Sequence, residues 1–464
     1  MRCSALLGSP GAIAEDAASP DAAVPAHYGN PLREQSALAE GQAITALARD
    51  VVAVSGPDRL SWLTTLASQV LTGLLPGDGG AEALILDAHG RISHALAVVD
   101  DGATAWIVVD AGDGPALAEH LERMRFMLRV EVAPRDDVAI LGAMGAGIAA
   151  LEETARAASP EDGGPTTGPG AEPEAGAAAQ LLPSLPVTWR DPWPGVVDGG
   201  TSYDVGLEAA RHPGKGYRAA AVLVPAERVP AIAHAFLDGG EGRRLAGSLA
   251  WEALRVEAGR PRWAREADER AIPHELDWLR TAVHLTKGCY PGQETVARTL
   301  NLGRPPRRLT LLQLDGLAGG LPAPGDVVRL GERAVGAVTS TARHHELGPI
   351  ALALLRRGVP AEAALSVEVS EAASGPGETG AVSGADGVSG TGPVSGAGAA
   401  ARTAEPDAVD AADGPAPGER VVVGRVAAAQ EVLVTPEGRA QASPAERPGA
   451  GLRTSLLHRR DGGR

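Results

Sequence analysis

Apolar positions set the first divisions of the chain. Leu60, Leu63, Leu66 and Val70, with Trp62, recur at three- and four-residue steps after the breaker Ser55-Gly56-Pro57. That spacing predicts a helix from Asp58 with one apolar face. Upstream, Leu32, Leu38, Ile44 and Leu47 predict a helix over residues 31–49, and the run 51–54 predicts a strand. Downstream of a glycine-rich break at 74–80, residues 83–86, 92–99 and 105–109 read as strands. Their connections, Asp87-Ala88-His89-Gly90 and Asp100-Asp101-Gly102, are hairpin turns, so the sheet is antiparallel and not a Rossmann unit. Pro115 opens a helix with Leu117, Leu121, Met124, Met127 and Leu128 on or near one side and its arginines late, which suits the helix dipole.

The second half alternates more tightly. A strand over 217–224, a helix over 227–237 and a helix from Ser248 to Ala258, ended by Gly259, suit a small ferredoxin-like α+β domain. A short helix from Ile272, with Leu276, Leu279 and Val283, delivers the chain to Lys287. Short strands follow at 309–314, 327–330, 334–339, 350–355 and 364–369, and again at 421–426 and 432–434. Short strands punctuated by glycine turns predict a small antiparallel barrel.

Two aperiodic stretches interrupt this pattern. Residues 151–180 and 370–419 are rich in Gly, Ala, Ser, Pro and acids and lack the apolar area to offset the entropy of ordering. The expected plan is a disordered tail (1–24), an N-terminal α+β domain (25–150), a disordered insert (151–180) and a ferredoxin-like middle domain (181–304). A small C-terminal antiparallel β-barrel (305–369 and 420–455), split by a disordered low-complexity insert (370–419), completes it. A long insertion in an exposed hairpin costs little, because closure entropy grows only logarithmically.

Composition narrows the function classes. The 464 residues carry a formal charge of -16, which disfavours direct binding to duplex DNA. The short basic runs at Arg304–Arg308 and Arg356-Arg357 do not offset it, although a folded tRNA is only weakly disfavoured. Two cysteines give neither a disulfide framework nor a paired-cysteine metal site. No apolar run approaches the ~18 residues of a membrane span, and the N-terminus lacks a signal-peptide core, so the expected location is cytoplasmic.

The densest chemistry lies in Lys287-Gly288-Cys289-Tyr290-Pro291-Gly292-Gln293-Glu294, running on to Arg298. Pro291-Gly292 predicts a tight turn, and Glu294 with Arg298 the first turn of a helix. Cys289 then sits just before a helix start, where backbone N–H groups and Lys287 would favour its thiolate.

These eight residues resemble the K-G-C-Y-x-G-Q-E signature of the YgfZ family of folate-binding proteins, related to the glycine-cleavage T-protein, an aminomethyltransferase. The likeness extends to His27–Gln35, to Val54–Leu63, to Leu86-Asp87-Ala88-His89-Gly90-Arg91-Ile92, to Arg255-Val256-Glu257-Ala258-Gly259-Arg260-Pro261 and to Gly336-Ala337-Val338-Thr339-Ser340. It implies an α+β, three-module T-protein-like fold around a folate-binding channel, with the N-terminal domain taking part in binding. It also implies tetrahydrofolate or a derivative as cofactor, and iron–sulfur enzymes or their assembly proteins, including tRNA-modifying enzymes, as partners. On this resemblance Cys289 and Lys287 are the reactive pair, and Arg255, Glu257, Tyr290, Gln293, Glu294 and Arg298 are the folate-binding residues. The alternatives are a folate-dependent one-carbon transferase and a non-enzymatic folate-binding regulatory protein. Two departures weigh against the transferase. Ser68-Gln69-Val70 stands where T-proteins read T-N-D, and Gly214-Lys215-Gly216-Tyr217-Arg218 replaces their acidic G-E-D-G-Y-E.

Overall fold

The computed structural model describes residues 3–158, 185–203, 212–302, 304–316, 320–372, 420–436 and 439–445. In chain order, β1 (Ile13–Ala14) and β2 (Pro25–His27) lead into α1 (Pro31–Ala39), β3 (Ala43–Leu47), β4 (Arg49–Ser55) and α2 (Arg59–Leu66). Then come β5 (Ala81–Leu86), β6 (Ile92–Asp100), β7 (Thr104–Asp110), α3 (Gly114–Arg125), β8 (Glu131–Pro134), β9 (Val138–Met144) and α4 (Gly147–Ala158). The middle holds β10 (Val187–Arg190), β11 (Ala219–Pro225), α5 (Val229–Asp238), β12 (Arg244–Ala246), α6 (Ser248–Glu257), α7 (Trp263–Glu266) and α8 (Gln293–Leu302). Six strands finish the chain: β13 (Arg307–Leu314), β14 (Val327–Leu330), β15 (Arg333–His344), β16 (Gly348–Arg356), β17 (Leu365–Ala372) and β18 (Arg420–Val432).

Two five-stranded sheets stack face to face. The first is antiparallel, in the order β5-β6-β7-β4-β8, and α2 and α3 cover its outer face over a core of Leu63, Leu66, Ile85, Leu96 and Leu117. The second runs β10-β11-β9-β3-β12 and draws strands from both sides of the expected boundary at 151–180. Its outer face packs on α4 and α5 through Ile44, Leu141, Leu151, Val222 and Phe236. Between the sheets Trp106, Val108 and Val51 meet Ile140, Trp189 and Leu223. The last six strands close into a barrel, β13-β16-β15-β14-β17-β18. Its inner positions, among them Leu312, Val328, Val338, Leu355, Val367 and Val426, make a separate core. The fold is therefore α+β, with the expected barrel at its C-terminal end.

Four expectations need correction. The helix expected over 31–49 stops at Ala39, because Gly41 turns with φ +76° and Ala43–Leu47 joins the second sheet. The insert expected from 151 begins later: Ile148, Leu151 and Ala155 form the buried stripe of α4. The short helix expected from Ile272 is one 3-10 turn, Pro273–Leu276, stopped by Asp277 at φ +57°. The tail expected over 1–24 has a defined course from residue 3 onward, anchored at a few buried side chains. Leu6, Val24 and Asp21 are buried, and β2 passes so close to α6 that a Cβ on Gly247 would lie 2.1 Å from the Ala26 carbonyl oxygen. Residues 159–180 and 373–419 of the expected inserts lie outside the described residues, as does the chain beyond 445.

Asp21 explains the tail's ordering. Its carboxylate lies 2.7 Å from the buried Arg262 and 3.2 Å from the partly exposed Arg265. Breaking a buried ion pair leaves an uncompensated charge and costs ~3 kcal/mol or more. The Asp21→Ala variant is expected to lose about that much stability in urea unfolding and to become protease-sensitive before residue 25. A loss under ~1 kcal/mol would show that the segment is not anchored this way.

Candidate functional site

The stretch 287–294 forms a loop clamped on two sides. On one side the Lys287 ammonium donates to the carbonyls of Thr64 and Ala67, at the C-terminal end of α2. A cation there complements the helix dipole. The ammonium also sits 4.7 Å from the Tyr290 ring centroid, a cation–π contact, and burial pushes its pKa down to about 8. On the other side the turn meets the β5–β6 hairpin backbone to backbone. Gly292 has φ +79°, and a Cβ on it would lie 2.7 Å from the Asp87 carbonyl oxygen. Gly90, at φ +76°, faces Thr295 just as closely. Both glycines are required by close approach and by backbone conformation together.

Each expected site residue has a definite place. Tyr290 points inward, 7 % exposed, into the core shared with Leu84, Leu86, Ile92 and Trp278, and burial raises its pKa to about 12. Gln293 donates to the Lys287 carbonyl at 3.2 Å and closes the loop on itself. Cys289 points outward and is exposed. Glu294 and Arg298 are exposed on α8, and among the described residues neither has an ion-pair partner. The described hydrogen bonds of the Lys287 ammonium go to the end of α2 and not to Cys289.

Arg255 and Glu257 are not part of this loop. Arg255, 2 % exposed, donates to Glu252, Glu266, Ser340 and the Arg260 carbonyl. Glu257 leaves the end of α6 toward His344, 3.3 Å away. Arg255 lines a small cavity between the two sheets, of which Glu257 is not a wall. Arg255 belongs to a buried ion network that sequence reading missed. Within it Arg262 bridges Asp110 at 2.6 Å, Asp21 at 2.7 Å and Glu252 at 3.1 Å. Arg260 bridges Glu82 at 2.6 Å and Asp191 at 2.9 Å, and Trp278 also donates to Glu82 at 2.9 Å. Burial works to raise Asp110, yet Arg262 and Arg49 hold it below its ordinary value. Asp191 goes the other way: burial, with the Glu82 charge, raises it against the pull of Arg260. The only sequence signal was the density of arginines in 255–262, which a solvated helix face would also show.

The network lines a cavity of about 100 Å³ between the two sheets, walled also by Trp189, Tyr217, Trp251 and Trp278. Two guanidinium nitrogens, Arg260 Nη1 and Arg262 Nη2, are buried there without a partner among the described residues. Aromatic walls and orphaned donors suit a flat heterocycle rich in acceptors. The space does not suit a whole folate, since sites for molecules of that size run to ~300 Å³ or more.

No family model matches the chain. A protein of Arabidopsis thaliana named "Putative transferase At1g60990, chloroplastic" is 36% identical over 104 residues, 22% of this chain and 22% of its own length. The "tRNA-modifying protein YgfZ" of Edwardsiella ictaluri is 36% identical over 129 residues, 27% of this chain and 38% of its length. The matches thus span well under half of either relative. The glycine cleavage system aminomethyltransferase T of Bartonella henselae superposes with a TM-score of 0.58 at 18% identity, over 78% of this chain and 92% of its own. The chain is thus similar to YgfZ over part of its length and shares the fold of the T-protein.

Two stretches that depart from the T-protein pattern have definite places in this fold. Ser68, at the place of the T-protein T-N-D, is fully buried as a stitch: its hydroxyl donates to the Ala282 carbonyl and accepts from the Leu84 N–H at 2.9 Å. Lys215 and Arg218, in the altered acidic stretch, are exposed.

Two predictions follow from the loop's anchoring. Gly292→Ala forces both a strained φ and a clash with Asp87, and is expected to cost ~2 kcal/mol; an unchanged melting temperature would refute the docking. The second concerns His274, which is 1 % exposed and donates through Nε2 to the Val296 carbonyl of α8 at 3.0 Å. Burial lowers its pKa from 6.5 to about 4. The unfolded chain therefore takes up a proton first, and stability present above pH 6.5 is lost as pH falls toward 4, by ~3 kcal/mol in all. A His274→Gln variant should show a shallower loss over that window in denaturant titrations. An identical slope would remove His274 from the account.

Proposed function

We propose that this chain is a folate-handling accessory protein for iron–sulfur enzymes, acting in the cytoplasm through Cys289. One observation carries the reading: the loop is pinned at Lys287, Tyr290, Gly292 and Gln293, while its thiol faces solvent. A side chain displayed on a fixed loop is presented to something outside the chain. One thiolate cannot hold an ordinary iron–sulfur cluster, which takes several ligands. Cys289 therefore supplies one ligand, or a transient adduct, to a partner that brings the rest. The name of the bacterial relative, a tRNA-modifying protein, supports a link of that relative to tRNA modification.

Tetrahydrofolate, or a derivative, is the cofactor this reading includes. The T-protein-like fold and the aromatic, donor-bearing cavity support it. The small cavity volume argues that only the heterocyclic head enters unless the sheets part. Aminomethyl transfer is the weaker alternative, because Ser68 is consumed by backbone contacts and Val70 offers no carboxylate.

Titrating tetrahydrofolate while following tryptophan fluorescence tests the cofactor, since three cavity walls are Trp189, Trp251 and Trp278. Saturable quenching in both the native protein and Cys289→Ala is expected. In cells relying on this protein, Cys289→Ala is expected to lower iron–sulfur enzyme activity at unchanged protein level. Full activity of that variant would end the accessory-protein reading, and absence of quenching would end the folate one.

A further inference from the structure

A second cavity is larger than the one between the sheets. It holds about 620 Å³ and lies where the N-terminal segment crosses α1, α5 and β12. That is within the usual range of small-molecule sites. Its floor is apolar: Leu6 from the N-terminal segment, Ala233 and Leu237 from α5, and Leu245 from β12. Its rim is basic. Arg33 and Arg244 are exposed there and have no carboxylate partner among the described residues, in a chain of net charge -16.

Arg243, the third arginine of the lining, stacks on Phe236 at 4.7 Å and donates to its carbonyl. The sole carboxylate in the lining is Glu34, and its oxygens are taken by the N–H groups of Tyr28, Asn30 and Gly247. Asp238, one turn beyond the rim, is occupied with His234. Tyr28 lines the wall, and its hydroxyl is buried with no partner among the described residues. The wall therefore offers unneutralised positive charge at the mouth, one unused donor inside and an aliphatic floor.

We propose that this cavity binds a small amphipathic anion: a carboxylate or phosphate head between Arg33 and Arg244, with an apolar body on Leu6, Leu237 and Leu245. The phenol of Tyr28 donates to an oxygen of the ligand. The site owes nothing to Cys289 or to the cavity between the sheets, so it stands or falls apart from the folate reading. It also gives the packed N-terminal segment a use, because residues 5–10 supply one of its walls.

The test is calorimetric titration of the full chain with octanoate, octyl phosphate and the uncharged 1-octanol. At least one anion is expected to bind one-to-one, tenfold or more tightly than 1-octanol. The tighter of the two anions identifies the head group. The double variant Arg33→Glu/Arg244→Glu, both positions exposed and so tolerant of change, is expected to lose tenfold or more in that affinity. Arg270→Glu, an exposed reversal outside the cavity, should leave it unchanged. Failure of both anions to bind up to millimolar concentration would overturn the assignment. So would equal binding of 1-octanol, or indifference to the double variant with its melting temperature intact.

Discussion

The buried ion network around Arg255, Arg260 and Arg262 is the constraint on which the rest of the structure depends. Three guanidinium groups in eight residues of chain hold carboxylates from the N-terminal segment (Asp21), the first sheet (Glu82, Asp110), the end of β10 in the second sheet (Asp191) and α6 and α7 (Glu252, Glu266). Ser340 ties the barrel into the same set. Hydrophobic contact alone would let two sheets and a barrel slide. Charges taken out of water tolerate few arrangements, because each lost partner leaves a desolvated ion. The network thus fixes how the sheets, α6 and the barrel meet, and with it where the chain after α6 emerges to form the Cys289 loop.

That loop divides its eight residues between anchoring and display. Lysine, tyrosine, glycine and glutamine face inward, to α2, to the core, to the β5–β6 hairpin and to the loop's own backbone. The cysteine faces outward. The two glycine-bearing motifs that looked separate in sequence, 87–90 and 291–292, are the two halves of one contact.

What could be read from sequence was local, and what could not was mutual. The strands of the barrel were legible from alternation and glycine turns. The return of the barrel after the low-complexity insert was legible as a resumed pattern; the register of β18 on β17, Leu365 opposite Ala428, was not. The turn at Pro291-Gly292 and the start of α8 were legible from residue type. The pairing of β9 with β3 on one side and β11 on the other was not, since no periodicity reports which strands become neighbours. Nor was the fate of the charged residues. Arg255 and Glu257 lie two apart on one helix, yet one is sealed in the core and the other reaches its surface. The N-terminal segment misled for a related reason: small residues and scattered acids look unstructured, but Asp21 orders them by meeting a cation 241 residues away.

The account rests on a thiol that is free while its loop is fixed. Alkylation of the native protein in a Cys3→Ser background, followed by mass spectrometry, measures this directly. The account predicts that Cys289 is modified at the rate of an open thiol in a peptide, at denaturant concentrations far below the unfolding transition. Modification that keeps pace only with global unfolding would mean the thiol is covered, and the loop would then be structural and not a presenting surface.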